Sequence, residues 1–276
     1  PVMVSPPGSA LRGRPSGVEM TGHSGGKGDM HLASLWREFQ QRSREPELMD
    51  GSDYGRDEYL DCLADLRRVN RYLGGYRSLA RHLFPLIREQ AIRRPGETIR
   101  LLDIGTGSAD IPRTVVDWAR GERIAVQFIV VDINHLAACT AAEQVRDYPE
   151  INAIRADALA LPFADGGVDF VIASLFLHHF EDESAAALLR GFSRVAREAF
   201  VINDLRRHPL AWISIILLTR IFTRNRLVRN DAAVSVKRGF TDHDIRRIVQ
   251  LAGVRVRVVR HFPYRYIITG SNRDED

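Results

Sequence analysis

The ten residues LLDIGTGSAD at positions 101–110 carry the most specific chemical signal in the chain. An apolar run leads into two glycines and then into a helix-forming stretch, so an extended strand turns sharply into a helix N-terminus. Gly105 and Gly107 allow positive φ and let a ligand approach the main chain. The first N–H groups of the helix are then free to meet that ligand. Charge narrows the choice. Dinucleotide-binding turns place a third glycine three residues after the second and hold a pyrophosphate there. Here that position is Asp110, and a carboxylate opposes a diphosphate. Asp103, two residues before the first glycine, puts an acid into the loop where an ammonium group can be met.

Further chemistry-bearing residues follow at regular intervals. The run VQFIVVD ends on Asp132, a carboxylate placed to accept both hydroxyls of a ribose. NAIRAD ends on Asp157, which can accept an adenine amino group beside an apolar wall of Leu159, Leu161 and Phe163. Asp103 and Asp132 could instead cap helices or sit in surface turns, but three acids at three successive strand ends argue against coincidence. A fourth run, VDFVIAS, opens into ASLFLHHFED and presents His178 and His179. An imidazole titrates near neutral pH, so either can take a proton in a reaction, with His179 preferred. The alternative is structural, the pair starting the next helix and packing against a ligand. No metal site is expected, because adjacent histidines on one turn rarely point at the same ion and no further ligand cluster is visible. Asn203 and Asp204 end a fifth run, where they can hydrogen-bond an acceptor oxygen or cap a helix.

The elements that must position these groups show in the texture of residues 97–270. Short apolar runs alternate with helical stretches at about 110–120, 134–146, 182–196 and 242–252. Strands apolar on both faces, separated by helices, describe a parallel sheet covered on both sides and wound by right-handed crossovers. The last two runs, VRVRVVRHF and YRYIITG, are separated only by a bend at Phe262-Pro263, so they should pair antiparallel at or near a sheet edge. The expected fold is α/β: a Rossmann-like, seven-stranded, mostly parallel sheet with helices on both faces. In such sheets ligands bind outside the carboxyl ends of the strands, where all the residues above converge. Ahead of the sheet, residues 30–96 predict an N-terminal helical cap of three helices, at about 31–43, 58–72 and 76–93. Residues 1–29, rich in Pro, Gly and Ser, read as a disordered leader, and 271–276 as a tail.

The order of these pieces over residues 99–203 resembles the class I S-adenosylmethionine-dependent methyltransferases, and within them the group acting on quinones, polyketides and other small lipophilic acceptors. The resemblance implies that Asp103, Gly105 and Gly107 line the methionine side, that Asp132 and Ile133 hold ribose and adenine, and that Asp157 and Ala158 reach the adenine edge. Thr106, Asp110 and Ser174 complete the expected cofactor contacts. Ala109 stands where many members have a third glycine. The implied reaction is O- or C-methylation of a phenol, quinone or polyketide-like acceptor, as in secondary metabolism. Two other readings share the sheet: a catalytically inactive binding protein or pathway partner, and a nicotinamide-dependent oxidoreductase, against which Asp103 and Asp110 argue. Methylation of exocyclic amines in RNA is disfavoured, since ASLFLHH stands where an Asn/Asp-Pro-Pro-aromatic motif is required.

Residues 205–240 read as an insertion holding a lid helix. Between Arg206 and Arg229 lie six arginines and no acids around an apolar block. As a lid it would cover a lipophilic acceptor with Trp212 and its neighbours, and Arg238 with Ser235 and Lys237 would close back over the site. As an interfacial helix it would lay that block on an anionic membrane, giving peripheral contact through 206–229. With 39 basic against 35 acidic residues the balance is too even to suggest nucleic acid as a partner. Cys62 and Cys139 have no paired spacing, and no secretory signal is read, so a cytoplasmic setting is expected. Oligomeric state is left open.

Overall fold

The computed structural model describes residues 39–51 and 53–271. The expected leader, most of the first expected helix and residues 272–276 lie outside the described residues. Fifteen regular elements follow one another. They are α1 (Arg56–Tyr72), α2 (Gly75–Arg93), β1 (Ile99–Ile104), α3 (Asp110–Glu122), β2 (Val126–Asp132), α4 (His135–Gln144), β3 (Ile151–Arg155), β4 (Val168–Ser174), α5 (Asp182–Val195), β5 (Ala196–Leu205), α6 (Pro209–Phe222), α7 (Arg226–Arg238), α8 (Asp242–Ala252), β6 (Val256–His261) and β7 (Arg265–Ser271). The strands form a single sheet in the order β3-β2-β1-β4-β5-β7-β6. β1 to β5 are parallel, and β7 runs antiparallel between β5 and the edge strand β6. Ser271, placed in the tail by the sequence, is the last residue of β7.

The centre of the sheet is buried on both faces, which is why its strands read as continuous apolar runs rather than alternating ones. On one face Leu102, Ile104, Val171 and Phe200 meet Leu188, Leu189 and Phe192 of α5 and Ile245 and Ile248 of α8. On the other, Leu101, Phe128, Phe170 and Val201 meet Leu79, Leu83 and Ile87 of α2 and Val115 and Val116 of α3. Each such side chain, fully buried, contributes on the order of 1.5–3 kcal/mol. Local signals agree with the packing. α5 repeats apolar residues at helical spacing and carries Asp182 and Glu183 in its first turn. α8 opens with a reciprocal cap between Thr241 and Asp244 and closes on Gly253 in the left-handed region.

α2 lays its buried stripe, Leu79, Leu83 and Ile87, into the sheet's own core. Two local expectations are corrected. The helix expected to run to residue 43 is not helical from Phe39 onward: the chain turns and then extends, pinned by Arg42, whose guanidinium donates to the carbonyls of His178, Phe180 and Arg238. The insertion is also two helices rather than one. Asn225 breaks it by capping α7, accepting from the N–H groups of Leu227 and Val228. α7 packs Leu227 and Val228 against Cys62 of α1.

Candidate active site

The glycine turn follows directly from β1. Gly105 sits at φ 67° and Gly107 at φ 55°, and the N–H groups of Gly105 and Thr106 both donate to Val131 O, tying the turn to β2. A Cβ on Gly105 would lie 2.3 Å from Phe176, so neither the conformation nor the space admits a side chain. Asp132 takes the N–H of Gly107 on one oxygen (3.1 Å) and that of Asn134 on the other (3.0 Å), which welds the ends of β1 and β2 together. Ala109, where a third glycine was looked for, adopts φ 55° regardless.

Two of the carboxylates at this turn are uncompensated. Asp103 is only 3% exposed, and burial raises its pKa to about 7, against the bond from the Thr106 hydroxyl and with the charges of Asp132 and Asp110 adding to the rise. Burial raises Asp132 as well, although backbone N–H groups favour its ionised form. Among the described residues neither makes a salt bridge. Asp110 differs: it accepts from the Ser108 hydroxyl and pairs with Arg113 and Arg67, so its charge is already answered. Asp157 is exposed and caps the turn at Ala158–Ala160 through the Leu159 N–H, with Ala158 buried and Ile133 exposed beside it. Ser174 accepts from the Asn203 amide, whose own Oδ1 is buried without a partner. These residues fit S-adenosylmethionine. Asp103 offers a buried anion for an ammonium, Asp132 keeps lone pairs for ribose hydroxyls, and the side-chain-free turn lets the ligand lie on the main chain.

A second cluster lies at the carboxyl ends of β4 and β5. Asp204 is fully buried; it accepts the N–H groups of Leu177 (2.8 Å) and Leu205 (2.7 Å) and, on Oδ1, meets His178 Nδ1 at 2.7 Å. Burial alone would lower the His178 pKa, but Asp204 and Glu47 outweigh it and hold the imidazole at about 9. Glu47 is buried on the extended segment ahead of α1, held by the Ser235 hydroxyl at 2.8 Å. Its Oε1 lies 3.4 Å from His178 Nε2 and its Oε2 3.9 Å from His179 Nε2. His179, partly exposed, turns its Nδ1 to Asp50 at 3.1 Å. The expectation that adjacent histidines point apart therefore does not hold, because each ring is aimed by a different carboxylate. The ligand atoms of Glu47, His178 and His179 lie within 4.8 Å of one another, a set able to hold a metal ion. The two clusters sit on adjoining strand ends, since β1 pairs with β4 and Phe176, two residues before His178, lies against Gly105.

Arg238 donates to the carbonyls of both histidines and to Asp50, so it fixes the turn rather than closing over it. Trp212 packs edge-on against Phe39, with Lys237 over its ring. Leu210, Ile213 and Leu217 of α6 face solvent, so the described insertion does not cover the site with them. Sequence reasoning missed Glu47, Asp50 and Arg42. The ELMD string that contains the first two is visible, but nothing in its spacing says which residues it meets.

Comparison with known proteins agrees with this geometry. A family model described as a methyltransferase domain matches residues 101–199. Residues 101–199 are thus similar to a methyltransferase domain, and the residues at the glycine turn fit S-adenosylmethionine as the cofactor of such a domain. Among curated proteins the chain is similar to the demethylmenaquinone methyltransferase of Roseiflexus sp. (strain RS-1), 32% identical over 125 residues, or 44% of this chain. The match spans about half (49%) of that relative's length. Among solved structures, an S-adenosyl-L-methionine-dependent methyltransferase from Methanococcus maripaludis is 15% identical with a TM-score of 0.52, covering 82% of this chain and 98% of that one. The DszA carbon methyltransferase is 14% identical with a TM-score of 0.52, covering 68% of this chain and 51% of that one. Both share the fold.

Proposed function

We propose that this protein transfers the methyl group of S-adenosylmethionine to a small lipophilic acceptor of the phenol, quinone or polyketide-like kind, at oxygen or carbon. The observation that carries the reading is the meeting of two unlike clusters at one end of the sheet: uncompensated carboxylates beside a bare glycine turn, and an imidazole–carboxylate group next to them. Bound there, S-adenosylmethionine supplies an electrophilic methyl on a sulfonium that leaves readily. Asp103 holds the ammonium, Asp132 the ribose hydroxyls, and Asp157 with Ala158 the adenine edge. The chain's own part would be to hold the acceptor's nucleophilic atom in line with that methyl. Aligning the two in a site from which water is excluded removes much of the barrier.

The acceptor must also shed a proton, and His179 is the imidazole of the cluster within reach, with His178 buried behind it. Asn203 Oδ1, buried and unpartnered, is a ready acceptor for a substrate hydroxyl. The curated relative's name supports a quinone-type acceptor. So does α6, whose exposed face is its apolar one: Leu210, Ile213, Leu217 and Ile221 stand on one stripe, followed by the exposed arginines Arg220 and Arg224. That stripe suits peripheral contact with an anionic membrane from which a lipophilic acceptor is drawn. Among the described residues no helix is long and apolar enough to cross one.

The test is calorimetry with S-adenosylmethionine followed by a labelled-methyl screen of phenolic and quinone-like lipids. Binding followed by label in the lipid fraction is expected, and absence of affinity for the cofactor and its demethylated product would end the reading. With an acceptor in hand, His179→Ala retaining near wild-type turnover would remove that residue from proton transfer. Co-sedimentation with anionic vesicles tests the α6 stripe, and a protein left in the supernatant speaks against it.

A further inference from the structure

Glu47, His178 and His179 come from two places far apart in the chain, yet their coordinating atoms converge in a way that a simple ion pair does not require. Each histidine uses Nδ1 on a carboxylate of its own, Asp204 for His178 at 2.7 Å and Asp50 for His179 at 3.1 Å. Each then turns Nε2 toward a different oxygen of the same third carboxylate, Glu47, at 3.4 and 3.9 Å. These separations are too long for hydrogen bonds of useful strength. They are close to the spacing of two ligand atoms that share an ion at about 2.0–2.2 Å from each. His178 is 2% exposed, and its Nε2 is buried with no hydrogen-bond partner, an expensive omission unless something else meets that nitrogen.

We propose that Glu47, His178 and His179 form a binding site for one divalent first-row transition-metal ion at the acceptor end of the active site. Two imidazoles and one carboxylate are the donor set of such ions rather than of magnesium or calcium, which take oxygen ligands. Carboxylates on the far nitrogens are the usual outer layer of such sites, fixing the tautomer and raising the basicity of the ligating nitrogen. Asp204 and Asp50 fill that role for the two rings, and the Ser235 hydroxyl holds Glu47. The backbone of the histidine turn is fixed in addition by Arg42 and Arg238, which donate to the carbonyls of His178 and His179. Three protein ligands leave coordination positions open, and an oxygen of the methyl acceptor is the group that would take one. With the ion bound, its charge would help that oxygen shed its proton, and His179, ligating through Nε2, would be a proton acceptor only in the metal-free protein. That role rests on the methyl-transfer reading, whereas binding of the ion does not.

The experiment measures the ion alone. Untagged full-length chain is stripped with a chelator and titrated with Co2+, followed by its visible absorption, and with Zn2+ in competition with a chromophoric chelator. One equivalent is expected to bind, with a cobalt spectrum showing nitrogen and oxygen ligands. Glu47→Gln and His179→Ala are each expected to weaken binding at least tenfold, and Asp50→Asn, which touches only the outer layer, by about 10-fold or more. Circular dichroism melts of the same proteins show whether each variant folds; His178 is left intact because its pairing with Asp204 is buried. The half-buried pair His82 and His261, whose Nε2 atoms lie 2.7 Å apart, is the competing site. Stoichiometric binding that persists in folded Glu47→Gln and His179→Ala but disappears in His82→Ala overturns the proposal, as does the absence of binding to the wild-type chain. Failure to methylate any acceptor would not bear on it.

Discussion

The two ends of the site are built on opposite electrostatic plans. At the cofactor end, Asp103 is buried and Asp132 partly buried, neither has a basic partner among the described residues, and their charge is costly until a cationic, hydroxyl-bearing ligand arrives. At the acceptor end most charges are paired inside the protein: Asp204 with His178, Asp50 with His179 and Arg238, Asp182 with Arg42. The first arrangement stores affinity for a ligand, while the second holds a geometry. Substitutions should therefore have opposite consequences for stability at the two ends.

The largest effect is expected from Asp204→Asn, which leaves a buried imidazole and several backbone N–H groups without their anion. Breaking a buried pair in this way costs about 3–5 kcal/mol, visible as a large drop in melting temperature. A melting temperature unchanged within error would refute the idea that the acceptor end is held by compensated charge. Asp103→Asn should behave in the reverse sense. Above pH 8 the free protein should be more stable than wild type, because a buried unpaired charge is gone, while affinity for S-adenosylmethionine should fall by about 10- to 100-fold, the worth of a hydrogen bond to a charged group.

The same residue sets a pH dependence whose sign is fixed. The folded pKa of Asp103, about 7, lies above the ordinary 3.8, so between those values the folded state holds a proton that the unfolded state has released. Stability of the free protein should therefore decline as pH rises from about 4 to 7 and level off above. Cofactor affinity should rise over the upper part of that range as the anion forms, with both trends abolished in Asp103→Asn. An affinity that is flat from pH 6 to 8 in the wild type would mean that Asp103 does not meet the ammonium. The smallest effect concerns Ala109, buried at φ 55°. Ala109→Gly relieves a left-handed alanine, worth roughly 1–2 kcal/mol, against the lost methyl packing and the greater freedom of an unfolded glycine. A net gain of up to about 1 kcal/mol, with cofactor affinity unchanged, is expected in chemical denaturation.

The contrast also explains what could be read in advance. The cofactor end is contiguous: strand, glycine turn and helix lie within ten residues, and Asp132 follows at the next strand end, so periodicity and charge locate it. The sheet and its antiparallel last pair are legible for the same reason, since each strand announces itself by a local run. The acceptor end depends on contacts between residues more than 120 positions apart, such as Asp50 with His179 and Glu47 with Ser235. No local pattern encodes these. The α6 stripe left a lid and a membrane-facing helix both open for a related reason, because an apolar helix reads alike whether its face is covered or exposed. From Phe39 to residue 43 the expected helix is replaced by a turn and extended chain, where the Arg42 guanidinium donates to three carbonyls from distant parts of the sequence that no local pattern announces.

The segment from Phe39 to Asp50 therefore divides the molecule's labour along the chain. Every residue proposed to grip the nucleoside lies after residue 99, whereas Glu47 and Asp50 arrive from upstream and are stitched to α7 by Asp231, which accepts the N–H groups of Leu48 and Met49. Exchanging this leading stretch and the insertion together, as a matched pair, is the route by which one nucleoside-gripping core could be fitted to a different recipient. Exchanging either alone would leave half a seam.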